Sequence, residues 1–167
     1  MLIALLFMTL LESFDRSFET ISARTRAILD LTSDEILYQR PRQHSNTFAM
    51  FTIGEYVLRS AAAVEQTFGG LTTRLWDDPF EWTLREKLAT TALIKEYLGE
   101  VDSTRSEGFA FIATDDSLSR VIPAPVKILP IAQVLLNTLS RSEHYLGRAY
   151  SVFQMVSDKK LPRIESF

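Results

Sequence analysis

The chain contains no cysteine, and its 167 residues include only two histidines, six glycines and six prolines. Without cysteine there is no disulfide framework, no thiolate-ligated zinc site and no cysteine nucleophile. With so few glycines and prolines, collagen-like and low-complexity material is excluded. An excess of basic charge is also missing, since 18 Lys and Arg face 21 Asp and Glu for a net charge of −3. A sequence-independent grip on a phosphate backbone needs a basic surface, so no nucleic-acid partner is expected. A long hydrophobic run is lacking too. Residues 1–11 are apolar but are broken by Glu12. That is about half of the roughly 20 apolar residues that a spanning helix requires. The run has neither the basic start nor the small-residue cleavage site of a signal peptide. It reads as the start of an amphipathic core helix, with no membrane partner and a cytoplasmic location expected.

What remains is ordinary globular composition, 46% hydrophobic and 23% charged. At roughly 150 residues per domain, one domain accommodates it. Helical spacing dominates the pattern. Phe7, Leu10, Leu11, Phe14, Phe18, Ile21, Ile28 and Leu29 recur at steps of three and four, which predicts a first helix over residues 1–30. Thr32-Ser-Asp-Glu35 has the form of a capping box before a short helical turn, and Arg40-Pro41 stops that turn. Residues 41–46 are polar loop. A second helix is expected over 47–67, ended by Gly69-Gly70. Residues 75–82 form an aromatic loop in which Asp77, Asp78 and Glu81 read as a solvated turn capping the next helix. The third helix covers 91–112, where Phe109-Ala-Phe111 leaves a short strand competing with the last turn. Pro123, Pro125 and Pro130 force an extended segment, and the fourth helix opens after Pro130 and runs to Val156. No convincing alternating strand appears. Four helices of matched length, each with one apolar stripe, bury those stripes best as an all-α four-helix bundle. The bundle domain is assigned to 1–157 and a C-terminal tail to 158–167.

Little familiar chemistry can be assembled from these residues. Glu-x-x-His, which a di-iron bundle needs on two helices, does not occur, and neither does His-Glu-x-x-His. His44 sits in the polar loop and reads as a surface residue. His144 follows Glu143 on the fourth helix and reads as a partly buried helix residue. Ser140, Ser142 and His144 are spaced by two, which puts them on different sides of a helix. Two arginines stand out instead. Arg141 falls on the fourth helix's stripe of Ile131, Val134, Thr138, Tyr145, Ala149 and Val152. Arg59 lies mid-way along the second helix beside Ala61, Ala62 and Ala63, whose small side chains leave room around it. Buried arginine is rare unless paired. One reading is therefore a salt bridge to Glu55 or Glu65. The other is a polar pocket in which Arg59 and Arg141 bind an anion.

The order of these landmarks resembles the DinB/YfiT family of four-helix bundles. Thr32-Ser-Asp-Glu35 with Arg40-Pro41 resembles that family's turn after the first helix. Phe51-Thr-Ile-Gly-Glu-Tyr-Val-Leu-Arg-Ser60 resembles its second-helix motif, and Leu139-Ser-Arg-Ser-Glu-His-Tyr-Leu-Gly147 its fourth-helix motif. The resemblance covers residues 1–156. It implies an up-down-down-up bundle, often dimeric, and a divalent metal held by three histidines. It also implies thiol-dependent transferase or isomerase activity. Carried over position by position, those histidines fall on Arg59, Arg141 and Tyr145, and His144 matches an additional histidine that is not one of the three ligands. Arginine stays protonated and cannot ligate a metal as imidazole does. No metal and no cofactor are therefore expected. The expected function is binding of a small polar or anionic ligand in the former metal pocket, with Arg59, Arg141, Tyr145, His144 and Glu55 as candidate residues. The alternatives are a transferase or hydrolase working without metal, with Tyr145 or His144 as the acid–base group, and a purely structural dimerisation module. Whether the protein is an enzyme stays open at this point.

Overall fold

The computed structural model describes residues 8–41, 50–79 and 83–162. His44, Glu81, Trp82 and the first seven residues lie outside the described residues. Helix α1 spans Leu10–Leu31, a short α2 Asp34–Leu37, α3 Ile53–Thr73, α4 Thr91–Ile112 and α5 Ile131–Val156. A 3-10 turn over Asp115–Ser119 and two short strands, β1 (Val121–Pro123) and β2 (Ile128–Pro130), connect α4 to α5.

Side-chain caps decide where the helices begin. Thr9 Oγ1 accepts from the Glu12 N–H at 3.1 Å, and Glu12 Oε2 accepts from the Thr9 N–H at 2.7 Å. Thr52 and Glu55 repeat this capping box at the start of α3, which therefore opens at Ile53 rather than at residue 47. The box expected at Thr32–Glu35 does not form. Ser33 occupies the N-cap of α2, and the Thr32 hydroxyl donates back to the Ile28 carbonyl at 2.8 Å. Asp77 and Asp78 do not cap α4 either. Its cap is Thr90, and Asp34 Oδ1 accepts from the Thr91 N–H at 2.8 Å.

Two further expectations change. Gly69-Gly70 does not end α3, which continues to Thr73 and stops at Arg74 with a left-handed φ of 63°. Gly70 serves packing: a Cβ there would lie 2.5 Å from the Trp76 ring. The proline-rich connection is also more regular than expected, forming an antiparallel hairpin that pairs Val121 with Pro130 and Pro123 with Ile128. Strands of three residues are too short to register as alternation, and proline lacks the N–H that a longer ladder would need. At Phe109-Ala-Phe111 the helical alternative prevails, because Phe109 is needed in the core.

Contacts between helices give their directions. The Lys159 ammonium reaches the Leu31 carbonyl at 2.9 Å, and Asp115 accepts from the N–H groups of Leu10 and Leu11. The Ile131 N–H at the start of α5 donates to the Arg120 carbonyl just after the same 3-10 turn, so the starts and the ends of α1 and α5 lie together and the two run parallel. Lys95 pairs with Asp30, Asp102 with Arg26 and Arg105 with Asp15, so α4 runs against α1. Ser60 meets Ser142 and Thr67 meets Thr138, so α3 runs against α5. The four long helices are thus up, down, down, up. Helix α3 packs on α4 and α5, and α1 packs on the same two from the other side.

The core joins Phe18, Phe68 and Phe109 from three helices, with ring centroids 5.1 Å and 5.0 Å apart at the Phe18–Phe68 and Phe68–Phe109 contacts. Between α3 and α5 the interior is partly polar. Ser60 Oγ donates to the Ser142 carbonyl at 2.9 Å, and Ser142 Oγ returns a bond to the Ser60 carbonyl at 3.2 Å. Thr138 Oγ1 gives its proton to the Val134 carbonyl at 2.9 Å. Thr67 is therefore the donor in the 2.7 Å Thr67–Thr138 bond.

The glycines give a paired test. Gly70→Ala forces Trp76 off α3 and is expected to cost about 1–3 kcal/mol. Gly147→Ala, where an added Cβ meets nothing within 4 Å, is expected to stabilise by about 0.5–1 kcal/mol through helix propensity. Thermal unfolding of the two variants should shift in opposite directions.

Candidate functional site

Beside the α3–α5 seam lies an open cavity of about 380 Å³. Glu55, Arg59, Ala62, Ala63 and Gln66 supply the α3 wall, and Arg141 and Tyr145 the α5 wall. Asp78, Leu84, Arg85 and Glu86 close the third side. Four of the five residues singled out in the sequence therefore line one cavity. His144 does not. It is exposed on α5, and its Nε2 accepts from the Arg148 Nε one turn later at 3.0 Å.

Arg141 is not on the buried stripe of α5. The stripe steps from Thr138 to Ser142, four residues rather than three, and Ser142 is fully buried. Arg141 is left on the flank, exposed, with its Nη2 donating to Gln66 Oε1 at 3.0 Å. Arg59 is half-buried and stacks on an aromatic ring, its guanidinium carbon 4.0 Å from the Phe51 centroid. Phe51 packs edge-on against Tyr56 at 5.5 Å, and Tyr56 lies 6.4 Å from Tyr145. A row of aromatic rings thus fixes both Arg59 and Tyr145. Stacking covers one face of a guanidinium and leaves its in-plane N–H donors directed outward.

The expected salt bridges are absent among the described residues, where neither Arg59 nor Arg141 pairs with a carboxylate. Glu55 is committed to its cap, since one carboxylate oxygen accepts from the Thr52 N–H at 2.7 Å and from the Thr52 hydroxyl at 2.8 Å. Glu65 accepts from the Tyr97 hydroxyl. Burial, with that bond adding to it, pushes the Tyr97 phenol far above its ordinary pKa, so it remains a donor.

The third wall is irregular chain held by aromatic side chains. Tyr38 lies against Gly54, where a Cβ would fall 2.6 Å from its ring. Its hydroxyl donates to the Leu88 carbonyl at 2.6 Å, and the Arg85 guanidinium sits 4.8 Å from its ring centroid. Burial pushes the Tyr38 phenol up to about 12, which keeps that donor protonated. Gln66 Nε2 reaches the Trp76 carbonyl at 3.4 Å. Gln66 was legible in the sequence, because it continues the spacing of Arg59, Ala62 and Ala63 along one helix face. Arg85 and Leu84 carry no such signal, since only tertiary packing brings them to the cavity.

No family model matches the chain, and no curated protein matches it. A solved structure does, that of a DinB-like protein from Bacillus cereus. The two superpose with a TM-score of 0.72 over 96% of this chain and 100% of that one, at 16% sequence identity. The fold is DinB-like. Identity this low carries the fold alone. Among the described residues no cluster of three His, Asp or Glu side chains is arranged to hold a metal ion. The three-histidine centre that the family resemblance implies does not fit the side chains that line this cavity. Arg59 and Arg141 are permanent cations, and Tyr145 alone is a poor ligand set. No described helix is long and apolar enough to cross a membrane.

This donor set predicts that protein purified without affinity tags carries no stoichiometric zinc, nickel or manganese by plasma mass spectrometry. One equivalent of metal that disappears on Tyr145→Phe would contradict it.

Proposed function

We propose that this DinB-like bundle binds a small anionic ligand in the cavity between α3 and α5, without a metal. The supporting observation is that Arg59 and Arg141 line one cavity with no ion-paired carboxylate among the described residues. Two guanidiniums facing a common space repel each other, and an anion between them removes that repulsion while gaining charge-assisted hydrogen bonds. Arg59 is already oriented by Phe51, so little side-chain entropy is lost when it engages. Arg141 is held by a neutral amide, which an anionic oxygen can replace as its acceptor. Tyr145 supplies a further hydroxyl at the wall.

A thermal-shift screen with phosphate, sulfate, acetate and low-molecular-weight thiols tests this, followed by calorimetry. An anion present at about 100 times its Kd should stabilise the fold by about 2.7 kcal/mol. Arg59→Ala and Arg141→Ala should each weaken binding by roughly tenfold or more, the worth of a hydrogen bond to a charged group. Anion shifts that survive both substitutions unchanged would refute the assignment.

A further inference from the structure

A second hollow of about 480 Å³ lies on the other side of Gln66, between the hairpin, the Trp76 segment and the N-terminal half of α5. Thr67, Val134 and Thr138 form its floor, and Trp76, Val126 and Leu129 are its main apolar walls. Gln66, Asp78 and Arg141 line both hollows. A strap runs between the two: Arg141 donates to Gln66 at 3.0 Å, and Gln66 donates to the Trp76 main-chain carbonyl at a long 3.4 Å. The first bond joins an exposed side chain to a half-exposed one, and the second is near the limit of a hydrogen bond, so this strap costs little to open.

We infer that the cavity and the groove are two halves of one site for an amphipathic carboxylate, its head among the arginines and its alkyl body along the groove. The inference rests on the anion reading of the cavity. Chemistry changes along the length of the site. Arg59, Arg85 and Arg141 stand at one end together with Glu55, Asp78 and Glu86, and neither Arg59 nor Arg141 is ion-paired among the described residues. Beyond the strap the lining is mainly apolar, with Lys127 the further cation. From Val134 to Tyr145 the α5 wall runs about 16 Å at 1.5 Å per residue, longer than any inorganic anion. The hairpin tip also holds Val126 at 93% exposure over the groove. An aliphatic side chain kept in water gains nothing from folding and gains burial from an alkyl chain beneath it.

Calorimetry with sodium butyrate, hexanoate, octanoate and decanoate reads this directly. Each added methylene should tighten binding about two- to fourfold, the upper figure corresponding to full burial at about 0.8 kcal/mol per methylene. Decyltrimethylammonium should not bind. Asn137→Trp, which fills the groove from an exposed position on α5, should flatten the chain-length dependence while leaving butyrate affinity intact. Val126→Asp should do the same without altering a helix. Arg59→Ala should weaken all four carboxylates by a similar factor. Equal affinity for butyrate and decanoate would overturn the continuous site and leave the anion reading standing. Chain-length dependence that both groove substitutions leave unchanged would overturn the groove assignment. Failure of every carboxylate and of phosphate would overturn both readings.

Discussion

The arrangement depends on the seam between α3 and α5. Ser60 and Ser142 exchange hydroxyl-to-carbonyl bonds, and two turns along α3 and one along α5 Thr67 donates to Thr138. Each of these hydroxyls is buried and each is satisfied. A buried hydroxyl without a partner would cost about 1–3 kcal/mol, so the four positions hold one register of α3 against α5. A slide by one turn would break all three of the bonds that cross between the helices. That register also places the site. Residues one position off the seam, Arg59 and Gln66 on α3 and Arg141 on α5, emerge side by side on the same flank. Small seam residues keep the helices close, so the flanking side chains project into a shared hollow rather than into separate stretches of solvent.

The electrostatics of that hollow follow from where nearby carboxylates are already committed. Glu55 faces the cavity, but it caps its own helix through Thr52. Moving it toward Arg59 would expose the first turn of α3. Arg59 is compensated by the Phe51 ring instead, and Arg141 by the Gln66 amide. Neither partner carries a charge. The carboxylates of Glu55, Asp78 and Glu86 balance the three arginines of the lining in formal charge, so what distinguishes this pocket from the arginine clusters elsewhere is that Arg59 and Arg141 meet no carboxylate directly among the described residues. Arg24 Nη1 donates to both carboxylate oxygens of Glu143 at 2.8 and 3.1 Å, and Arg105 is surrounded by Asp15, Glu19 and Asp102. Those arginines hold helices together. Arg141 also ties α5 to α3, but through the neutral amide of Gln66.

Much of the bundle was legible because its helices carry continuous 3.6-residue patterns. The bounds of α4 and α5 could be read to within a residue, since Thr90 and Pro130 mark their starts. The misreadings have local physical causes. Gly70 looks like a stop from sequence, but its missing side chain admits Trp76, a contact made only in three dimensions. Arg141 was placed on the buried stripe because a step of three from Thr138 fits a helix as well as a step of four. Only the reciprocal bond to Ser60 shows that Ser142 takes the inner position. Arg59 was legible through its alanine neighbours, and Tyr145 through the spacing of the stripe. The third wall was not, because Arg85 and Leu84 belong to a segment with no periodicity, and what places that segment is Tyr38, about fifty residues earlier in the chain.

That third wall shows how the fold divides its tasks. The helices fix Arg59, Arg141 and Tyr145 through a buried seam that cannot shift without breaking three inter-helix hydrogen bonds. The opposing wall is held by two aromatic anchors, each seated where a glycine lets a ring touch helix backbone: Trp76 on Gly70 and Tyr38 on Gly54. Among the described residues its further ties include the Tyr38–Leu88 and Gln66–Trp76 bonds and the stacking of Arg85 on Tyr38. Local opening follows the number of buried contacts that must be lost, so this wall yields before the helices do. The proposed ligand therefore meets one rigid cationic face and one adjustable face. Affinity for the charged head is set by the rigid face, where preorganisation lowers the cost of binding. The adjustable face decides how long a ligand body fits, because moving Trp76 and Gln66 is what joins the cavity to the groove.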